Sequence, residues 1–117
     1  MSEPLKVGLV GTGAISDRHM TAYLEHPDRV QLTAVCDIDE PLAKEYARKA
    51  GVEAVYLDYD NMLREADIDA VDICTGHYLH APQTIAAAAA GKHVIVEKAM
   101  SITLQDCRAM IEATDRA

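Results

Sequence analysis

Tryptophan and phenylalanine are missing from this chain of 117 residues, and its only aromatics are five tyrosines. Its core therefore has to come from Val, Ile, Leu, Met and many Ala, which suits helices packed closely on a sheet. Positive charge is scarce: 11 Lys and Arg stand against 19 Asp and Glu, a formal net charge of -8. That balance argues against nucleic acid or an anionic membrane as a partner. The three cysteines, Cys36, Cys74 and Cys107, have no metal-like spacing. Each sits in apolar sequence and reads as a small core residue in a reducing compartment. No run approaches the roughly 20 apolar residues of a membrane span, and a single Lys before Val7–Val10 is a poor flank for a signal peptide. Together these absences predict one soluble, cytoplasmic domain.

What is present begins at Lys6–Ser16, K-V-G-L-V-G-T-G-A-I-S. Val7, Leu9 and Val10 predict a buried parallel strand, broken at Gly11 and Gly13, with a helix starting almost at once. A backbone without Cβ atoms lets a pyrophosphate lie against such a turn, and the free N–H groups opening the helix can bind it. Ser16 stands where the dinucleotide-binding fingerprint has its third glycine.

Strands and helices then alternate. A helix over about 14–25 is ended by Pro27. Val30–Cys36 predicts strand two, and Asp39 caps a helix with Pro41 in its first turn that runs to Gly51. Ala54–Leu57 is a brief strand, Asn61–Glu65 a short helix and Ala70–Cys74 strand four. Pro82–Ala90 predicts an Ala-rich helix stopped at Gly91, His93–Val96 a fifth strand, and Thr103 caps a last helix with Asp106 three residues on. Repeated βαβ units with right-handed crossovers give an α/β fold, a doubly wound parallel (Rossmann) sheet in the order 3-2-1-4-5. The nucleotide crevice would lie where strands one and four meet.

Asp37 ends strand two, 26 positions after Gly11. A carboxylate there can accept hydrogen bonds from adenosine ribose hydroxyls and repel a 2′-phosphate, and Ile38 follows it rather than an Arg, so NAD is favoured over NADP. Helix capping is the competing role for Asp37. Thr75 and Gly76 follow strand four at the same crevice. His77 and His80, three apart, suit cofactor contact or helix-start hydrogen bonding, with metal ligation as a weaker alternative. His19, His26 and His93 are expected at the surface or in packing. Glu97-Lys98 closes strand five, where a Lys can meet a substrate hydroxyl and polarise its oxygen or relay its proton. A surface ion pair is the competing reading.

The segments V-G-L-V-G-T-G-A-I-S, A-V-C-D-I-D, V-D-I-C-T and A-A-G-K-H-V-I-V-E-K together resemble the Gfo/Idh/MocA family, the oxidoreductases related to glucose–fructose oxidoreductase and inositol 2-dehydrogenase. The resemblance implies an NAD(P)-binding Rossmann domain and hydride transfer at sugar or cyclitol hydroxyls, with Lys98 as catalytic residue. It places Gly11, Thr12, Gly13, Ala14 and Ile15 at the pyrophosphate turn and Asp37 and Ile38 at the ribose. Thr75, Gly76 and His77 fall along the cofactor path, and Glu97 and Lys98 at the nicotinamide end. The family's E-K-P is E-K-A here, with Ala99 for the proline, and its T-P-N is T-G-H.

Family members run to roughly three times this length, so the expectation is a single domain over 1–117, truncated after the helix that follows strand five. The second domain, with most of the substrate pocket, would be missing. Strand five then becomes an open sheet edge bearing Val94, Ile95 and Val96, which invites a homodimer. The competing function is a nucleotide-binding or self-associating module without turnover.

Overall fold

The computed structural model describes residues 3–117. Its elements run β1 (Leu5–Val10), α1 (Ser16–Glu25), β2 (Val30–Cys36), α2 (Glu40–Ala50), β3 (Ala54–Tyr56), α3 (Tyr59–Glu65), β4 (Ala70–Ile73), α4 (His77–Ala89), β5 (His93–Val96) and α5 (Leu104–Arg116). All strand pairs are parallel, in the order β3-β2-β1-β4-β5. β1 is central, so its C-terminal end opens between β2 and β4.

The period-2 alternation of a strand sorts the apolar side chains into two layers. Val10, Ala34, Cys36, Val71 and Ile73 pack with Met62, Leu63 and Ala87 on one face of the sheet. Leu9, Val35 and Cys74 pack with Met20, Tyr46 and Ala47 on the other, under α1 and α2. Both faces are covered in the middle of the sheet, which is why these strands read as nearly continuous apolar runs.

The helix ends follow the local chemistry predicted for them. Asp39 accepts from the Leu42 N–H at 3.1 Å and caps α2, while Gly51 closes it with φ 73°. Thr103 Oγ1 accepts from the Asp106 N–H at 3.0 Å at the start of α5. One boundary differs from expectation by more than two residues. Helix α4 begins at His77, five residues before Pro82. Pro82 removes the N–H that would bond the Tyr78 carbonyl, but both residues are exposed, so water can serve that oxygen. The helix therefore starts right at the mouth of the crevice.

Candidate functional site

The Gly-rich turn contains two glycines with different physical duties. Gly11 has φ +93°, and a Cβ on it would stand 2.7 Å from the Cys74 carbonyl carbon and 2.8 Å from the Thr75 nitrogen. It lets β1 pass against the end of β4. A Cβ on Gly13 would meet nothing within 4 Å. Gly13 is the open side of the turn, where a ligand backbone can approach. Ser16, fully buried, takes the third-glycine position. Its Oγ donates to the Gly13 carbonyl at 2.5 Å, and its own carbonyl accepts from Tyr46 Oη at 2.7 Å. The turn is thereby tied to α2.

The first bonds of α1 are short-range: Ser16 N–H to Gly13, Asp17 N–H to Ala14 and Arg18 N–H to Ile15 carbonyls, at 3.1, 3.2 and 3.3 Å. Among the described residues, the N–H groups of Gly13, Ala14 and Ile15 have no partner in the chain. Three free donors at a helix start form an anion cradle.

Thr12 is placed differently from its two neighbours. It is buried, and both its N–H and its hydroxyl donate to Asp37 Oδ2 at 2.9 Å. Its polar groups hold Asp37 rather than face the crevice. Asp37 Oδ1 accepts from the Asp39 N–H at 2.9 Å. The capping of α2 falls to Asp39, so that competing role for Asp37 lapses. A carboxylate has about four acceptor positions. Three are used here, and Oδ1 retains one.

The crevice at the C-terminal edge of the sheet encloses about 340 Å³, with Gly11 and Gly13 in its wall beside Asp37, Ile38, Thr75 and Gly76. These residues fit a dinucleotide: an anion cradle in the middle, a ribose acceptor on the β2 side, and apolar Leu42 and Leu79 in the lining beyond. Ile38 is 92% exposed, so it offers a flank rather than a wall. Thr75 Oγ1 donates to Gln83 Oε1 at 2.6 Å.

His77 and His80 do not converge on a common point for a metal. His80 is fully buried, with Nδ1 2.7 Å from the Ala99 carbonyl oxygen and Nε2 2.9 Å from that of Thr75. His77 is exposed, and its Nε2 accepts from the Ala99 N–H at 3.3 Å. Both rings thus pin the turn that carries Lys98 to the start of α4. The Lys98–Ala99 peptide is cis. The Lys98 side chain is exposed, and His77, Glu97 and Lys98 lie outside the lining of this crevice.

His19 is not the surface or packing residue expected. Its Nδ1 lies 2.6 Å from Asp72 Oδ2 and its Nε2 2.7 Å from Glu97 Oε2. Tyr23 Oη donates to Asp72 Oδ2 at 2.5 Å, and Cys74 Sγ lies 3.5 Å from both Asp72 Oδ1 and His19 Nδ1. Cys74 therefore borders a buried polar cluster, not a purely apolar one. Ligands of one zinc ion, each about 2.0–2.3 Å from it, stand roughly 3.3 Å or more apart. At 2.6 Å, His19 and Asp72 are hydrogen-bonded directly, with no room for an ion between them.

Burial by itself would lower the His19 pKa, but hydrogen bonds and charge from Asp72 and Glu97 outweigh it and hold the pKa above the usual imidazole range. The bond from His19 is the largest influence on Glu97; desolvation opposes it, and the His19 charge adds to it, which leaves Glu97 below the usual carboxylate range. The sequence did carry one signal for this cluster: Asp72 interrupts an apolar strand, and a buried carboxylate needs partners. Its partners come from 49 and 53 residues earlier and could not be read off.

Residues 5–117 match the oxidoreductase family with an NAD-binding Rossmann fold, GFO_IDH_MocA. The chain belongs to this family. It is 35% identical over 113 residues to myo-inositol 2-dehydrogenase of Thermotoga maritima, covering 97% of this chain and 34% of that protein. The WlbA dehydrogenase of Chromobacterium violaceum, solved with NADH and UDP-GlcNAcA, superposes with TM-score 0.95 at 34% identity, over 98% of this chain and 33% of that one. The scyllo-inositol dehydrogenase of Lactobacillus casei, solved with NAD(H) and scyllo-inositol, gives TM-score 0.89 at 29% identity, over 97% and 33%. The chain thus spans about a third of the length of these relatives.

Proposed function

We propose that this chain binds NAD across the Gly11–Gly13 turn and presents Lys98 to a hydroxyl of a sugar or cyclitol. The observation that carries this reading is the placement of Asp37 and Lys98 on opposite flanks of one glycine turn. β2 and β5 lie on either side of β1, and both residues sit at the C-terminal edge of the sheet. In this reading the N–H groups of Gly13, Ala14 and Ile15 hold the pyrophosphate. Asp37, fixed by Thr12, takes a ribose hydroxyl on Oδ1, with Ile38 flanking the adenosine. Thr75, Gly76 and His77 border the path to the nicotinamide end, where Glu97 and Lys98 stand.

NAD, when bound, supplies the hydride acceptor. Lys98 Nζ orients the substrate hydroxyl and carries its proton toward solvent as the C–H bond breaks. Relatives named for inositol and levoglucosan dehydrogenation support a polyhydroxylated substrate class. Calorimetric titration with NAD and NADP tests the cofactor. Tighter binding of NAD supports the assignment, and no binding of either rejects it. Lys98→Ala should remove any polyol-dependent NADH formation while leaving NAD affinity largely intact.

Two further parts of the reading concern surroundings. β5 is an edge strand with Ile95 45% exposed on it, so a second copy of the chain is proposed to cover this edge as a homodimer. A monomer at tens of micromolar in sedimentation would reject that. Three free cysteines support a reducing, cytoplasmic setting, and the charge of -8 argues against nucleic acid or anionic membrane as partners. No helix among the described residues is long and apolar enough to cross a membrane. A competing reading, a nucleotide-binding module without turnover, draws on the crevice lining, which holds Gly11, Gly13 and Asp37 but not Lys98. Binding without reduction across a panel of polyols would favour it.

A further inference from the structure

The cluster around His19 joins three elements that the cofactor reading treats separately. His19 lies on α1, the helix that opens from the anion cradle. Asp72 lies inside β4, and Glu97 follows β5, one residue before Lys98. A neutral imidazole has one N–H, and it would leave the other ring nitrogen pointing a lone pair at a carboxylate oxygen. With ionised carboxylates at 2.6 and 2.7 Å, both nitrogens donate only when the ring is an imidazolium, the form that these two negative charges stabilise. The groups that face it are Asp72 and Cys74 from β4 and its end, Tyr23 from its own helix through Asp72, and Glu97 from the end of β5.

The two arms of this bridge are unequal. Asp72 is fully buried and also accepts from Tyr23, so that arm is anchored. Glu97 is about a quarter exposed at its side chain, so its arm is the one solvent can replace. Loss of the ring proton would therefore free Glu97 first. Ala99, just beyond, is held separately by His77 and His80. Lys98 thus sits between two tethers, of which only the Glu97–His19 one joins it to the helix of the anion cradle.

We propose that His19, as an imidazolium held between Asp72 and Glu97, is a positioning residue that fixes the Glu97–Lys98 turn against α1 and forms the nicotinamide end of the crevice. The proposal deepens the reading above, and its binding test rests on that reading.

The experiment compares NADH with ADP-ribose, which lacks the nicotinamide, by calorimetry from pH 6 to 9 on the full chain, its His19→Gln variant and its Glu97→Gln variant. In the wild type the ratio of NADH to ADP-ribose affinity should fall by about tenfold as pH rises, the loss expected for one charge-assisted hydrogen bond. ADP-ribose affinity should stay nearly flat. His19→Gln should hold the ratio low at every pH. Glu97→Gln, which keeps an acceptor, should preserve part of the ratio and move its midpoint to lower pH. A pH-independent wild-type ratio, or equal weakening of both ligands by His19→Gln, would overturn the proposal. A second arm needs no ligand: the Lys98 backbone amide resonance should titrate with the His19 ring, and independence of the two would also overturn it. Should ADP-ribose fail to bind at all, the cofactor reading falls, and this resonance alone decides the role of His19.

Discussion

Gly11 and Cys74 approach so closely that a Cβ on Gly11 would lie 2.8 Å from the Cys74 carbonyl oxygen. The contact is backbone against backbone, so no side chain can move to relieve it, and the positive φ of Gly11 adds strain for any other residue. Gly11→Ala should therefore destabilise the fold by about 3 kcal/mol or more, with or without cofactor. Urea denaturation at matched pH measures this, and a midpoint equal to that of the wild type would refute it.

Gly13 gives the opposite result. Open space surrounds its missing Cβ, so Gly13→Ala should leave the melting temperature within about 3 °C of the wild type, as for other exposed positions. NAD affinity should drop about tenfold or more, because the methyl group intrudes where the pyrophosphate lies. Thermal melts and calorimetry on one sample separate the two effects.

Asp37 both holds the glycine turn through Thr12 and keeps a free acceptor position on Oδ1. Asp37→Ala leaves the buried Thr12 N–H and hydroxyl without their acceptor, at a cost of about 1–3 kcal/mol. It also removes the negative charge that opposes a 2′-phosphate. The ratio of NAD to NADP affinity should fall, and an unchanged ratio would place cofactor selection elsewhere.

The His19–Glu97 bond gives stability a predictable pH dependence. Glu97, with its pKa lowered on folding, contributes above the unfolded value near 4.5 and loses that contribution as pH falls through its folded pKa. His19, with its pKa raised, contributes fully below the unfolded value near 6.5 and loses it as pH rises through its folded pKa. Their joint contribution is greatest between about 4.5 and 6.5. A melting-temperature profile of the wild type minus that of His19→Gln should peak in this window and decline on both sides.

The three cysteines should differ in reactivity. Burial, with Asp37 and Asp58 nearby, pushes the Cys36 thiol up to about 12. Burial and Asp72 also push Cys74 well above the usual thiol range. Cys107 is half-buried on α5. Alkylation at pH 8 followed by mass spectrometry should label Cys107 first, with Cys36 and Cys74 reacting only on unfolding.

Much of the crevice was legible in the chain itself because its signals are local. Gly11 and Gly13 between an apolar run and a helix, Asp39 before Pro41, and Thr103 before Asp106 each act within a few residues. Strand order followed from alternation and crossover handedness, since few topologies satisfy both. The start of α4 lies five residues before Pro82 because an exposed helix face tolerates a proline that locally signals a helix start.

The amino-acid sequence by itself determined the layered α/β fold, the glycine turn and the position of Asp37 and Lys98 at strand ends. Periodicity and backbone sterics act over short stretches of chain, and each of these features depends on little else. Only the tertiary structure decided that Thr12 serves Asp37, that Gly11 yields to Cys74 while Gly13 faces open space, and that His19 bridges Asp72 and Glu97. Those relationships span 25 to 78 residues. They arise where parallel strands bring distant segments to one edge, and a buried carboxylate such as Asp72 finds its compensating charge only once those strands have paired.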